Sequence, residues 1–345
     1  MRILLLLLFF TSLQSQSNYN SLQNLFIEWR KFENPPLLNG APDYTKKQFN
    51  KRKSVFNKLQ KKLNNIDTTN WSKSKQVDWQ IIEAEMNGYD FNFRVLKSWI
   101  RDPAFYQTIW MYQSDVPAHE GPVNHALLEY WQYTFPLNKQ AKEIFHRELA
   151  LIPAFLEQAK QNLTGNARDL WVAGINNLRD QTKYLNTIEK TLNEYQDKKK
   201  DKSIFEALQN AKVANNKFIR WLESEAPKKN GPSGIGKENY TWYQQNVHRV
   251  PLTWEEEVQL LQRELDRAWS SLKLEEERNK KLPLMKSADT PDEFKVLTDN
   301  AVKKMMRFLS ENDIMYIKDN MEPALREHMG KYVPKDDRNF FSIGL

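Results

Sequence analysis

The stretch His119-Glu120-Gly121-Pro122-Val123-Asn124-His125 holds residue types that bind metals, so the search for chemistry starts there. A zincin helix needs two histidines four apart, on one face, with a glutamate between them as base. Here the second histidine comes six positions later, about 240° around a helix. Pro122 also interrupts any helix at this point. The zincin pattern therefore fails. Two readings remain for this loop. Either Asp115, His119, Glu120 and His125 meet around a ligand, or the loop hydrogen-bonds its own turns. The other histidines, His146, His248 and His328, have no convincing serine partner, and no G-x-S-x-G elbow occurs. The chain has no cysteine, which removes thiolate nucleophiles and disulfides. Gly231-Pro232-Ser233-Gly234-Ile235-Gly236 lacks the closing Gly-Lys-Ser/Thr of a phosphate loop and reads as a flexible connector.

The elements that must position these residues are helices. Apolar residues at Phe49, Phe56, Leu59, Leu63 and Ile66 form one helical stripe. Trp254, Val258, Leu261, Leu265, Ala268 and Leu272 form a second, spaced alternately four and three. Phe145, Leu149, Ile152 and Leu156 form a third, with a kink expected near Pro153. Capping boxes are expected at Ser203–Glu206, Thr253–Glu256 and Thr290–Glu293, and Pro291 suits a first helical position. The patterns predict helices over 20–33, 44–66, 73–100, 123–134, 138–163, 167–197, 203–225, 237–246, 253–281 and 291–319, with a further one near 322–330. The fold class is all-α, with long loops over 101–122 and 226–236.

The chain opens with Met1-Arg2, an apolar run from Ile3 to Phe10, and small residues up to Ser17. One charge, a short apolar stretch and a small-residue end make residues 1–17 a signal peptide, cleaved after Ser15 or Ser17. The run is shorter than the roughly 20 residues a membrane helix needs. Residues 18–345 then form one helical domain, exported to the periplasm or beyond the cell. Without cysteine, no residue can carry an N-terminal lipid. Loss of Arg2 leaves 50 basic against 44 acidic side chains, a net charge of +6. That balance is mild, and an exported protein has little occasion to meet nucleic acid. Lysine clusters at Lys46-Lys47, Lys51-Arg52-Lys53, Lys61-Lys62 and Lys198–Lys202 read first as wet surfaces.

Gly234-Ile235-Gly236-Lys237-Glu238-Asn239-Tyr240, followed by Thr253-Trp254-Glu255-Glu256-Glu257, resembles the bacterial domain of unknown function 885 family. Arg101-Asp102-Pro103-Ala104-Phe105-Tyr106 and Ser114–Pro122 resemble one branch of it. The resemblance implies an exported, helical, gluzincin-like zinc-peptidase fold with a groove between two helical halves. It also implies that zinc ligands lie in a C-terminal part beyond this chain, so no metal ligand or cofactor is assigned within it. On that reading the N-terminal helices wall one side of a peptide groove. Asp115, His119 and Glu120 would read polar groups of a peptide, and Tyr240 and Tyr243 would offer hydroxyls to its carbonyl or to an oxyanion. The competing reading has both tyrosines packing their rings and capping a neighbour. A second function, a non-catalytic peptide-binding or envelope-binding module, stands beside the peptidase.

Overall fold

A computed structural model describes residues 19–113, 127–283, 287–327 and 329–338. The chain divides into two compact units, with the junction between Gln262 and Arg263.

In the first unit, helix α1 (19–33), α2 (Lys46–Asn64) and α3 (Lys73–Phe91) share one apolar cluster. The α2 stripe enters it through Phe56, Leu59 and Leu63, which meet Leu22, Trp29 and Met86. Thr45 and Ser72 cap α2 and α3 by accepting from the backbone N–H three residues on. Between α1 and α2, Leu37–Leu38 (β1) pairs with Ala41–Pro42 (β2). The two-residue turn Asn39-Gly40 takes positive φ at both positions, as such a hairpin demands.

The helix expected over 73–100 is not continuous. After Phe91 the chain makes a π turn over Asn92–Leu96, then reverses at Lys97, whose φ of 49° is left-handed. A short helix α4 (Ser98–Arg101) follows, then a 3-10 turn at Pro103–Tyr106. Apolar spacing does not register a backbone step of this kind, which is set by the Lys97 N–H donating to the Asn92 carbonyl.

Three long helices build the second cluster: α5 (Lys139–Asn162), α6 (Arg168–Tyr195) and α7 (Lys202–Glu225). Phe145, Leu149, Ile152, Trp171, Leu178, Leu185 and Phe218 are wholly buried between them. Helix α5 continues through Pro153. The expected Ser203 cap does not form. Helix α7 starts one residue earlier, after Asp201, whose carboxylate is committed to Lys142 at 2.7 Å from both oxygens. Gly174 lets α6 approach the 3-10 turn, since a Cβ there would lie 2.8 Å from the Ala104 nitrogen.

The helix expected over 123–134 is overturned in its described part. Leu128–Glu129 (β4) pairs in parallel with Ile109–Trp110 (β3), and a 3-10 turn follows at Tyr130–Gln132. The Leu127 and Leu128 N–H groups both donate to the Thr108 carbonyl at 3.0 Å. A partner distant in sequence has outcompeted the local helical bond. The unit continues with α8 (Lys237–Tyr243), a second π turn (Gln244–His248) and the start of α9 (Trp254–Asn279), which crosses the junction. The Thr253 box forms reciprocally: the Glu256 N–H donates to the Thr253 hydroxyl, and the Thr253 N–H donates to the Glu256 carboxylate at 2.7 Å.

In the second unit, α10 (Pro291–Glu311) is capped by Thr290 and stops eight residues before its expected end, at a left-handed Asp313. Helix α11 (Met321–Glu327) is tied to α10 by Arg326, which pairs with Asp299 and, within α11, with Glu322. The regular stripe on α9 does not enter a core: Leu261, Leu265 and Leu272 are 66%, 53% and 47% exposed, and no α9 residue is buried. Among the described residues no helix is long and apolar enough to cross a membrane.

Candidate functional site

Helix α8 is short, and its cap residue Gly236 has a φ of 82°, which a side chain would resist. The first part of the connector before it, Lys229–Ser233, is held by hydrogen bonds. The Ser233 hydroxyl accepts from the Asp169 N–H at 2.8 Å and so caps α6 from a distance. The Asn166 side chain accepts from the Asn230 and Gly231 N–H groups, Arg101 donates to the Pro232 and Ser233 carbonyls, and Lys229 donates to the Gly165 carbonyl. A Cβ at Gly231 would stand 2.3 Å from the Asn166 carbonyl oxygen, which explains the glycine.

From this seat α8 presents one polar row. The Tyr240 hydroxyl donates to Glu257 on α9 and accepts from the Gln244 amide at 2.8 Å. The Gln244 carbonyl oxygen lies 3.1 Å from His248 Nδ1. Tyr243 stacks edge-on against the His248 ring and tilts against Phe91 at 4.8 Å. A continuous relay therefore runs from His248 through Gln244 and Tyr240 to Glu257. The Glu257 hydrogen bond holds the Tyr240 proton and raises that phenol above its ordinary range.

His248 closes the π turn, and helix α3 holds that turn. Asn87 donates to the Asn246 carbonyl at 3.1 Å, and Arg249, left-handed at φ 60°, pairs with Glu83. Trp242 stacks on Phe91 with the ring planes 7° apart. Such turns are frequent at functional sites because they rotate one side chain out of helical register.

Tyr240 and Tyr243 thus stand on one turn, as their spacing predicts. Asp115, His119 and Glu120 lie outside the described residues, as do residues 1–17. What is described is the pair of strands on either side of them. Gln181, wholly buried on α6, accepts from the Thr108 N–H at 2.7 Å and the Ile109 N–H at 3.1 Å. Its amide donates to Asn215 on α7 at 2.9 Å. Just past β4, Tyr133 donates to Glu148 at 2.6 Å. Burial raises the carboxyl of Glu148, and burial and then the Glu148 hydrogen bond raise the phenol of Tyr133 well above its usual range.

Sequence reasoning missed Gln244, His248 and Glu257. One trace was there: Tyr240, Gln244 and His248 recur at four-residue steps. Glu257 sits inside the Thr253-to-Glu257 run that carries the family resemblance, but nothing in that run points at Tyr240.

Zinc asks for three protein ligands converging on one point. Among the described residues no three histidine, aspartate or glutamate side chains do so.

No curated protein matches the chain by sequence. A solved structure titled as a "putative lipoprotein of unknown function" from Shewanella oneidensis is similar in fold, with a TM-score of 0.54 and 15% identity over 89% of this chain. The match spans 58% of that protein's length. A family model described as a bacterial protein of unknown function matches residues 38–338. The chain belongs to that family, DUF885.

Proposed function

We propose that this chain is the N-terminal, substrate-holding part of an exported helical protein of the zinc-peptidase type, with a gluzincin-like architecture and a peptide as ligand. The observation that carries the reading is the row Glu257–Tyr240–Gln244–His248 beside Tyr243. A peptide offers carbonyl oxygens and N–H groups. The row offers one phenol, one amide and one imidazole, held by α3. When a carbonyl or an oxyanion arrives, Tyr240 exchanges Glu257 for it, and the freed carboxylate takes an N–H of the ligand. Asp115, His119 and Glu120 complete the polar lining in this proposal. The exposed stripe on α9 supports a further helical part that packs there, which in this reading supplies the metal ligands.

The test has two arms. Zinc content and peptide hydrolysis are measured on the 345-residue chain and on a product extended through any continuing reading frame. Zinc and turnover in the extended product only are expected. If the extended product binds no zinc and cleaves nothing, the peptidase reading fails.

One observation favours the second reading, a non-catalytic extracytoplasmic peptide-binding or envelope-binding module. The Tyr240 hydroxyl is already satisfied by a hydrogen bond to Glu257, an arrangement that binding alone can use. Peptides screened by Trp fluorescence on the chain alone separate the two. Binding without turnover in either product supports the module, and Tyr240→Phe with Tyr243→Phe is expected to weaken it.

A further inference from the structure

Helix α2 carries eight basic residues, Lys46 to Lys62 with Arg52, and no acidic one. The fold sorts them. Arg52 points inward, 8% exposed, and donates to the carbonyls of Phe32, Glu33 and Asn34 at the end of α1. Phe56, Leu59 and Leu63 are buried on the same side. At 100° per residue, Lys47, Lys51, Lys58, Lys61 and Lys62 fall within an arc of about 100° on the opposite side. All five are exposed. Their row is about 22 Å long at a rise of 1.5 Å per residue. Lys62 pairs with Glu28 of α1, and the other four have no carboxylate partner among the described residues.

Lys47 with Lys51, and Lys58 with Lys62, are like charges four apart, which weaken a helix. The arrangement opposes helix formation, so helix propensity does not explain it. Its composition narrows the partner. A specific phosphate or carboxylate is best read by the planar fork of arginine, whereas lysine is a mobile point charge suited to a diffuse anionic layer. Here the only arginine is turned away and serves the fold. A basic helix face of this kind matches a lipid surface bearing negative headgroups, where each lysine near the surface adds attraction that salt screens.

We propose that the outer face of α2 docks this protein on membranes containing anionic phospholipid. The full chain is sedimented with phosphatidylcholine vesicles, with and without phosphatidylglycerol, at low and high salt. Neutral vesicles measure salt-independent partitioning by the apolar run Ile3–Phe10, and the anionic increment measures α2. Roughly fivefold in partitioning per lysine is expected. The variant with Lys47, Lys51, Lys58 and Lys61 all changed to Gln therefore loses about a hundredfold or more of that increment. A control changing Lys198, Lys199, Lys200 and Lys202 to Gln removes the same charge elsewhere and loses less than tenfold. Thermal unfolding checks that both variants are folded, and the salt dependence of the unaltered chain stands apart from either. No anionic increment in the unaltered chain, including the case where only heparin or DNA binds, overturns the proposal. So does an equal loss in the two variants.

Discussion

Changing Gln181 to Met tests what holds β3, the strand that leads to the Ser114–Pro122 loop. The substitution conserves length and volume but removes the one acceptor shared by the Thr108 and Ile109 N–H groups. Gln181 is wholly buried, so water cannot readily replace it. Leaving a buried donor unsatisfied costs about 1–3 kcal/mol, so two donors cost about 2–6 kcal/mol. Asn215 Oδ1 also loses its donor, which favours the upper half of that range. For a unit of this size each kcal/mol moves the melting temperature by roughly 2–4 °C. A fall on the order of 10 °C is therefore expected by calorimetry, with faster amide exchange at Thr108 and Ile109. A loss below about 1 kcal/mol with unchanged exchange protection would mean that another acceptor serves these amides, and the reasoning would be refuted.

Arg52→Met removes donors to three carbonyls at the end of α1 and leaves them buried or competing for water; a loss of about 2–4 kcal/mol in chemical denaturation is expected, of which Arg52→Lys restores less than half. Burial raises the Glu148 carboxyl, so the folded state binds its proton more tightly than the unfolded chain does. Its contribution to stability is present at acid pH and is lost as pH rises through the folded-state value. Glu148→Gln, which still accepts from Tyr133, is expected to raise the melting temperature more at pH 7 than at pH 4, and an equal change at both would contradict this. Mass spectrometry of the protein recovered from a secreting host is expected to find a new N-terminus after Ser15 or Ser17; an intact Met1 would reject the leader assignment.

Helix identity was legible where apolar spacing and local caps set it. The stripes, the Thr253 and Thr290 caps and the starts of α2, α5 and α10 follow from side-chain spacing and from side-chain oxygens that accept from the N–H three residues ahead. Membership of the family was also legible, because the Gly234–Tyr240 and Thr253–Glu257 runs are contiguous. Tertiary contacts decided the rest. The segment 127–134 has helical spacing, yet it pairs with the Thr108 carbonyl some twenty residues away. The α9 stripe has the most regular spacing in the chain, but spacing fixes only which residues share a face, and here that face lies open. Tyr240, Gln244 and His248 share a four-residue step, but the contacts from Asn87 and Glu83 that seat their turn come from the distant helix α3. Local sequence determines the bonds a residue makes within its own turn, whereas a relay crossing from α8 to α9 exists only once the chain has folded back.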